Sequence, residues 1–276
     1  MVLVLPPIIG TTGATNLTAA VLDGTIIAAS DSTHTKGTYT TIIATTTKPS
    51  YGIWVRLKEV GAANTNTSQL VDIAYGDSPS GGNEQILINN LDAGAAGNPA
   101  AHLGKLFYFP IYIPSGVSIR ARNQGAIESD TCRVAVRLMQ DPAYSWAAGA
   151  VTTYGANTAA SNGTSVTPGS GSFGTWTQIG TADADPLTPK RFWLPGYSLG
   201  TDTTVASNLG VIELGTGPDA PNVSVLGQWD FIQTNAEEIS HSFYPVYGVV
   251  NTGQELWARI AAGEAEARRI VVYGID

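Results

Sequence analysis

Charge is scarce in this 276-residue chain: Asp, Glu, Lys and Arg together make up 13% of it, against roughly 25% in an average soluble protein. The balance is acidic, at −8, with 14 Lys and Arg residues. So few cations argue against binding nucleic acid through its phosphates, which needs clustered Lys and Arg. The adjacent basic pairs, Lys190-Arg191 and Arg268-Arg269, sit beside apolar residues in predicted strands and read as solvated strand edges. Cysteine is nearly absent too. Cys132 stands alone, which excludes an intrachain disulfide, and its setting in Thr131-Cys132-Arg133-Val134-Ala135-Val136 predicts a buried, inert thiol on a strand. The three histidines, His34, His102 and His241, lie at no ligand spacing from one another, so no metal site is expected. The apolar start, MVLVLPPIIG, has no cation before Lys36 and is interrupted by two prolines. It reads as neither signal peptide nor membrane span, and residues 1–29 are expected to form an N-terminal extension or arm.

Catalytic signatures are missing as well. There is no Gly-x-Ser-x-Gly elbow, Walker loop or His-Glu-x-x-His helix. Gly169-Ser170-Gly171-Ser172-Phe173-Gly174 matches G-x-G-x-x-G by letter, but it leads into a predicted strand, so no helix N-terminus is available to hold a phosphate. It reads as a flexible hinge. The carboxylate pairs Asp183/Asp185, Glu237/Glu238 and Glu264/Glu266 are the remaining candidates for acid–base work, and solvated surface is the simpler role for them. No catalytic residue, cofactor or metal is assigned, and the chain is expected not to be an enzyme. Trp146, Trp229 and Tyr154 are candidates for exposed, sugar-stacking aromatics. Trp54, Trp193 and Trp257 read as core or sheet residues.

What the sequence does contain is strands. Short runs of Val, Ile, Thr and aromatics end at Gly, Pro, Asn or Asp. The predicted strands are 53–57, 70–75, 85–88, 107–113, 118–122 and 133–138, then 192–194, 210–214, 223–226, 243–250, 255–260 and 269–273. Val117–Arg122 and Arg133–Leu138 alternate apolar residues with arginines, as in a sheet with one packed and one wet face. Prolines in Phe109-Pro110-Ile111-Tyr112-Ile113-Pro114 predict an edge or bulged strand there. Gly97–Gly104 and Glu264–Arg268 could each form a turn or two of helix.

The chain also resembles itself. Gly37-Thr38-Tyr39-Thr40-Thr41-Ile42 recurs as Gly174-Thr175-Trp176-Thr177-Gln178-Ile179, Trp54 answers to Trp193, and Asp72–Gly76 answers to Val211–Gly215. Tyr108–Tyr112 answers to Phe243–Tyr247, Ala121-Arg122 to Ala258-Arg259, and Arg133–Val136 to Arg269–Val272, all at offsets of 135–139. The fold class expected is therefore all-β: two tandem, duplicated antiparallel β-sandwich domains, jelly-roll or Ig-like. Copy 1 is placed at 30–141 and copy 2 at 170–276, joined by a Thr/Ser/Gly/Asn-rich linker, 142–169, running over the surface.

With the phrases VDIAYGDSPSGGNEQILINNL, YFPIYIPSGVSIRARNQ and TYGANTAASNGTSVTPGSGSFGTWTQIG, the chain resembles virion structural proteins of tailed bacteriophages over most of residues 30–276. The resemblance implies a non-enzymatic role on the capsid surface, as a decoration protein, or on the tail, collar or baseplate. It implies other virion proteins as partners, a virion location and a homo-oligomer; a trimer of a two-copy chain would present six similar domains around a three-fold axis. No nucleic acid or membrane partner is expected. The alternative is a carbohydrate- or receptor-binding β-sandwich module whose ligand is a host-surface glycan.

Overall fold

In the computed structural model, residues 24–59, 68–95, 105–140, 149, 151–156, 163–179, 192–194, 208–234, 237–238, 254–264 and 267–275 are described. They form an all-β protein. The strands of the first half are β1 (Thr25–Ala28), β2 (Thr40–Ile43), β3 (Gly52–Glu59), β4 (Ser68–Asp77), β5 (Gln85–Ala95), β6 (Lys105–Phe109), β7 (Val117–Gly125) and β8 (Thr131–Met139). Then come β9 (Val151–Tyr154), β10 (Thr164–Val166), β11 (Gly169–Ser170), β12 (Thr177–Gln178), β13 (Phe192–Leu194), β14 (Asn208–Gly217), β15 (Ser224–Thr234), β16 (Glu237–Glu238), β17 (Glu255–Ala262), β18 (Arg268–Ile270) and β19 (Val272–Ile275). A 3-10 turn at Ala220–Asn222 joins β14 to β15.

Side chains alternate across a strand, so strands with apolar residues at every second position must bury one face against another layer. In the first half the four-stranded sheet β1-β8-β3-β6 supplies Ile53, Val55, Leu57, Phe107, Phe109 and Val134 to a core. A seven-stranded sheet, β13-β19-β9-β5-β4-β7-β2, closes that core with Ile73, Leu87, Ile88, Ile119 and Ala121. Strand pairs β1·β8, β2·β7, β3·β6 and β4·β5 are all formed. This nested pairing, first with last and so inward, is the order of a jelly roll. Pro110 follows β6, an edge strand of its sheet.

Among the described residues, three strand pairs of the second half follow the same order. β10·β18, β12·β17 and β14·β15 correspond to the first, second and fourth of those pairs. The partner expected over 243–250 lies outside the described residues. Registers coincide as well: Thr40 faces Ala121 and Thr177 faces Ala258, both displaced by 137. Thr25 faces Val134, and Thr164 faces Ile270. Gly24 and Gly163, each just before its strand, have φ of 94° and 149°. A Cβ on either would lie 2.6 Å from Val134 O or 2.8 Å from Arg269 Cβ.

These registers move two boundaries. Residues 25–28, expected within an arm, form β1, and Ile27 is buried. The described parts of the expected linker include β9, β10 and the start of β11, and Val151, Tyr154, Ala156 and Val166 are buried. Nor is 169–174 a hinge: β11 pairs with β17, and the Gly171 and Gly174 N–H groups donate to Ala262 and Ile260 carbonyls. Arg268, expected at a wet edge or in a helical turn, is a fully buried strand residue. The match of Asp72 with Val211 shifts by two, because Asp72 faces Arg122 and Glu213 faces Arg259.

The halves share structure. β9 pairs with β5 on one side and β19 on the other. Along the C-terminal strands, Val271 and Tyr273 enter the first core, while Ile270 and Val272 enter a second one built on Ile212, Leu214, Trp229, Phe231 and Ile260. Tyr273 meets Phe107 and Phe109 edge-on, and its hydroxyl accepts from the Asp92 N–H at 3.0 Å.

Candidate functional site

The outward face of β1-β8-β3-β6 gathers side chains that the sequence keeps apart. Because Ile53, Val55 and Leu57 point into the core, Trp54, Arg56 and Lys58 point away from it. By register, Trp54 lies opposite Arg137, Arg56 opposite Ala135, and Lys58 opposite Arg133 on β8. On the other flank Trp54 faces Tyr108, with ring centroids 4.9 Å apart, and Arg56 faces Leu106. Ile26 on β1 faces Arg133. Leu106 and Ile26 are 49% and 48% exposed. Four cations, two aromatics and two exposed aliphatics thus share one face, and among the described residues its outward positions carry no carboxylate. In a chain of net charge −8, that concentration of positive charge is local and directional. Arg, Trp and Tyr are also the residues enriched where proteins bind one another.

A second arrangement occurs twice, on the sheets that carry β4·β7 and β14·β17. In the first half, Lys36 Nζ donates to both oxygens of Asp72 at 2.7 and 2.6 Å and to Asn89 Oδ1 at 2.7 Å. Arg122 Nε donates to Asp72 Oδ2 at 2.8 Å, and its guanidinium lies 4.6 Å from the Tyr39 ring centroid. The Asn90 N–H completes the buried carboxylate's shell at 2.9 Å. In the second half, Arg259 Nε donates to Glu213 Oε2 at 2.6 Å, and its guanidinium carbon lies 4.4 Å from the Trp176 ring centroid and 4.7 Å from that of Phe173. Tyr39 and Trp176 occupy matching places, as do Lys36 and Phe173. The first cluster therefore has an ammonium where the second has a ring.

Nearby, Arg120 pairs with Glu84 and donates to the Tyr39 carbonyl at 2.9 Å. Hydrogen bonding by its own backbone N–H holds the Glu84 carboxyl below the usual carboxylate range against the cost of burial, and the Gly82 N–H and Arg120 add to the lowering. Burial pushes the Tyr39 phenol up, with Arg122 opposing.

Of the residues singled out in the sequence, Trp229 and Tyr154 are core residues, at 7% and 8% exposure, and not stacking platforms. Their strand parity points them inward. Trp54 and Trp257 are sheet residues, as expected, half-buried on outward faces, with Trp257 Nε1 donating to Gly217 O at 3.0 Å. Cys132 is buried, and His34 is exposed with φ 56°. His102, His241, Asp183, Asp185, Glu266 and Trp146 lie outside the described residues, and Glu264 is exposed. Trp193, Glu237 and Glu238 lie on strands β13 and β16. The basic face went unread because strand register alone joins residues 56, 58, 133 and 137. Among the described residues no three His, Cys, Asp or Glu side chains gather as metal ligands, and no helix is long and apolar enough to cross a membrane. Compared with protein-family models and with curated proteins, the sequence gives no match.

Proposed function

We propose that this chain is a non-enzymatic structural component of a bacteriophage virion, bound to other virion proteins on the capsid surface or on the tail, collar or baseplate. The observation that carries the reading is the cationic, aromatic face of β1-β8-β3-β6, which suits a complementary acidic protein surface. Jelly rolls recur in viral capsid proteins, and that analogy lends support at the level of fold. A second part of the proposal is that the chain holds two copies of one unit. Coincident registers, the paired glycines Gly24 and Gly163, and the paired clusters at Asp72 and Glu213 support it. Three such chains around a three-fold axis would present six similar units, which fits a hexagonal lattice or a six-fold ring.

The test combines light scattering on the purified chain with co-sedimentation against particles assembled without it. A trimer that rebinds at fixed stoichiometry is the expected result. A monomer that ignores such particles contradicts the proposal. One observation favours a second reading, glycan binding: the outward Trp54–Tyr108 pair is the kind of platform on which sugar rings stack. Saturable binding to a glycan array, lost in Trp54→Ala, together with no particle binding, would establish that reading instead.

A further inference from the structure

We propose that Lys36 and Asn89 form an intramolecular isopeptide bond, with Asp72 as the acid–base group that moves the protons. Three side chains meet as this reaction requires. The Lys36 amine lies 2.7 Å from the Asn89 amide oxygen and 2.6 Å from a carboxylate oxygen of Asp72, whose side chain is 1% exposed. The contact puts the amide carbon within roughly 3.5 Å of the amine, near-attack range for a positioned nucleophile. The amide needs only to turn about its terminal torsion to present its face.

The surroundings hold each participant still. Asn89 sits at a register irregularity where β5 passes Asp72, between the pairs Val71↔Leu91 and Ile73↔Ile88. Its backbone carbonyl accepts from Thr153 Oγ1 on β9, and the next residue, Asn90, has φ 52° and donates its side-chain amide to Ala156 O at 3.0 Å. The Asn90 N–H and Arg122 Nε orient the Asp72 carboxylate from two other sides.

The atoms balance without an oxidant or any added reactant. Asp72 takes a proton from the Lys36 ammonium, and the freed Nζ adds to Cγ of Asn89. The Cγ–Nδ2 bond then breaks. Asp72 passes protons from the attacking to the leaving nitrogen, so an ammonium and a primary amide become a secondary amide and an ammonium ion. The bond would tie the segment before β2 to β5 across β7 and β4. It is a redox-independent staple in a chain whose single cysteine cannot supply an internal disulfide. The second half has Phe173 where Lys36 stands, so the link belongs to the first half alone.

Intact mass of the purified, denatured full-length chain, compared with Lys36→Arg, tests the proposal. Arginine keeps a cation beside Asp72 but cannot complete the bond. Wild type is expected to weigh less than its sequence by one ammonia, and peptide mapping to find a branched peptide joining Lys36 to Asn89. Lys36→Arg is expected to show its full mass with an unchanged circular dichroism spectrum. Full sequence mass in wild type after prolonged incubation of the folded protein would overturn the assignment. So would the same ammonia loss in Lys36→Arg, or a loss of water mapping to the other buried Lys–carboxylate contact, Lys105–Asp92.

Discussion

Asp72 and Glu213 hold matching positions yet differ in how much depends on them. Replacing Asp72 by Ala takes the buried carboxylate from Arg122, whose side chain is 25% exposed, and removes the group that the proposed Lys36–Asn89 bond needs to form. Urea denaturation should show a loss of about 3 kcal/mol, in the range for breaking one side of a buried ion pair. Arg259→Ala removes one ion pair and its ring contacts at a wetter site, 29% exposed, for an expected loss of about 1–2 kcal/mol. Glu84 supplies a pH dependence. Its carboxyl titrates lower in the folded chain than in the unfolded one, so the stability it contributes is present above the ordinary glutamate range and is lost as pH falls through the folded value. Melting temperatures followed from neutral to acidic pH should therefore drop less steeply in Glu84→Gln than in wild type.

Among the elements, alternation made the strands legible. Val117–Arg122 and Arg133–Leu138 read as half-wet strands, and in the structure Ile119, Ala121 and Val134 are buried while their arginines face outward. What stayed hidden was the first strand of each half. Thr25–Ala28 continues an apolar stretch with no period of two, and Thr164–Val166 lies in a Thr, Ser, Asn and Gly-rich stretch that has the composition of a linker. Only pairing with β8 and β18 makes them strands, and pairing is not written locally. The same limit hid the basic face and turned Trp229 inward. The glycines opening both strands give a direct test. Gly24→Ala and Gly163→Ala each force a Cβ into positive φ and against a neighbouring strand, so each should cost about 1–3 kcal/mol. A neutral result at either position would contradict the registers described here.

At the scale of the whole molecule, the two halves are joined by more than a tether. β9 and the C-terminal strands serve both cores, and Tyr273 fills the first one from the far end of the sequence. The chain should therefore unfold in one calorimetric transition, and Tyr273→Ala, which empties a ring-sized space, should lower stability by about 3–5 kcal/mol. Two resolved transitions would mean that the shared strands do not couple the halves. A molecule of this kind holds one sheet face in a fixed shape, and the proposed function depends on that face. The most direct measurement is co-sedimentation of wild type and the double variant Arg133→Glu/Arg137→Glu with phage particles assembled without this chain. Wild type is expected to bind at fixed stoichiometry, and the charge-reversed protein, folded with an unchanged melting temperature, to stay in the supernatant. Equal binding by both proteins, or by neither, would contradict the account.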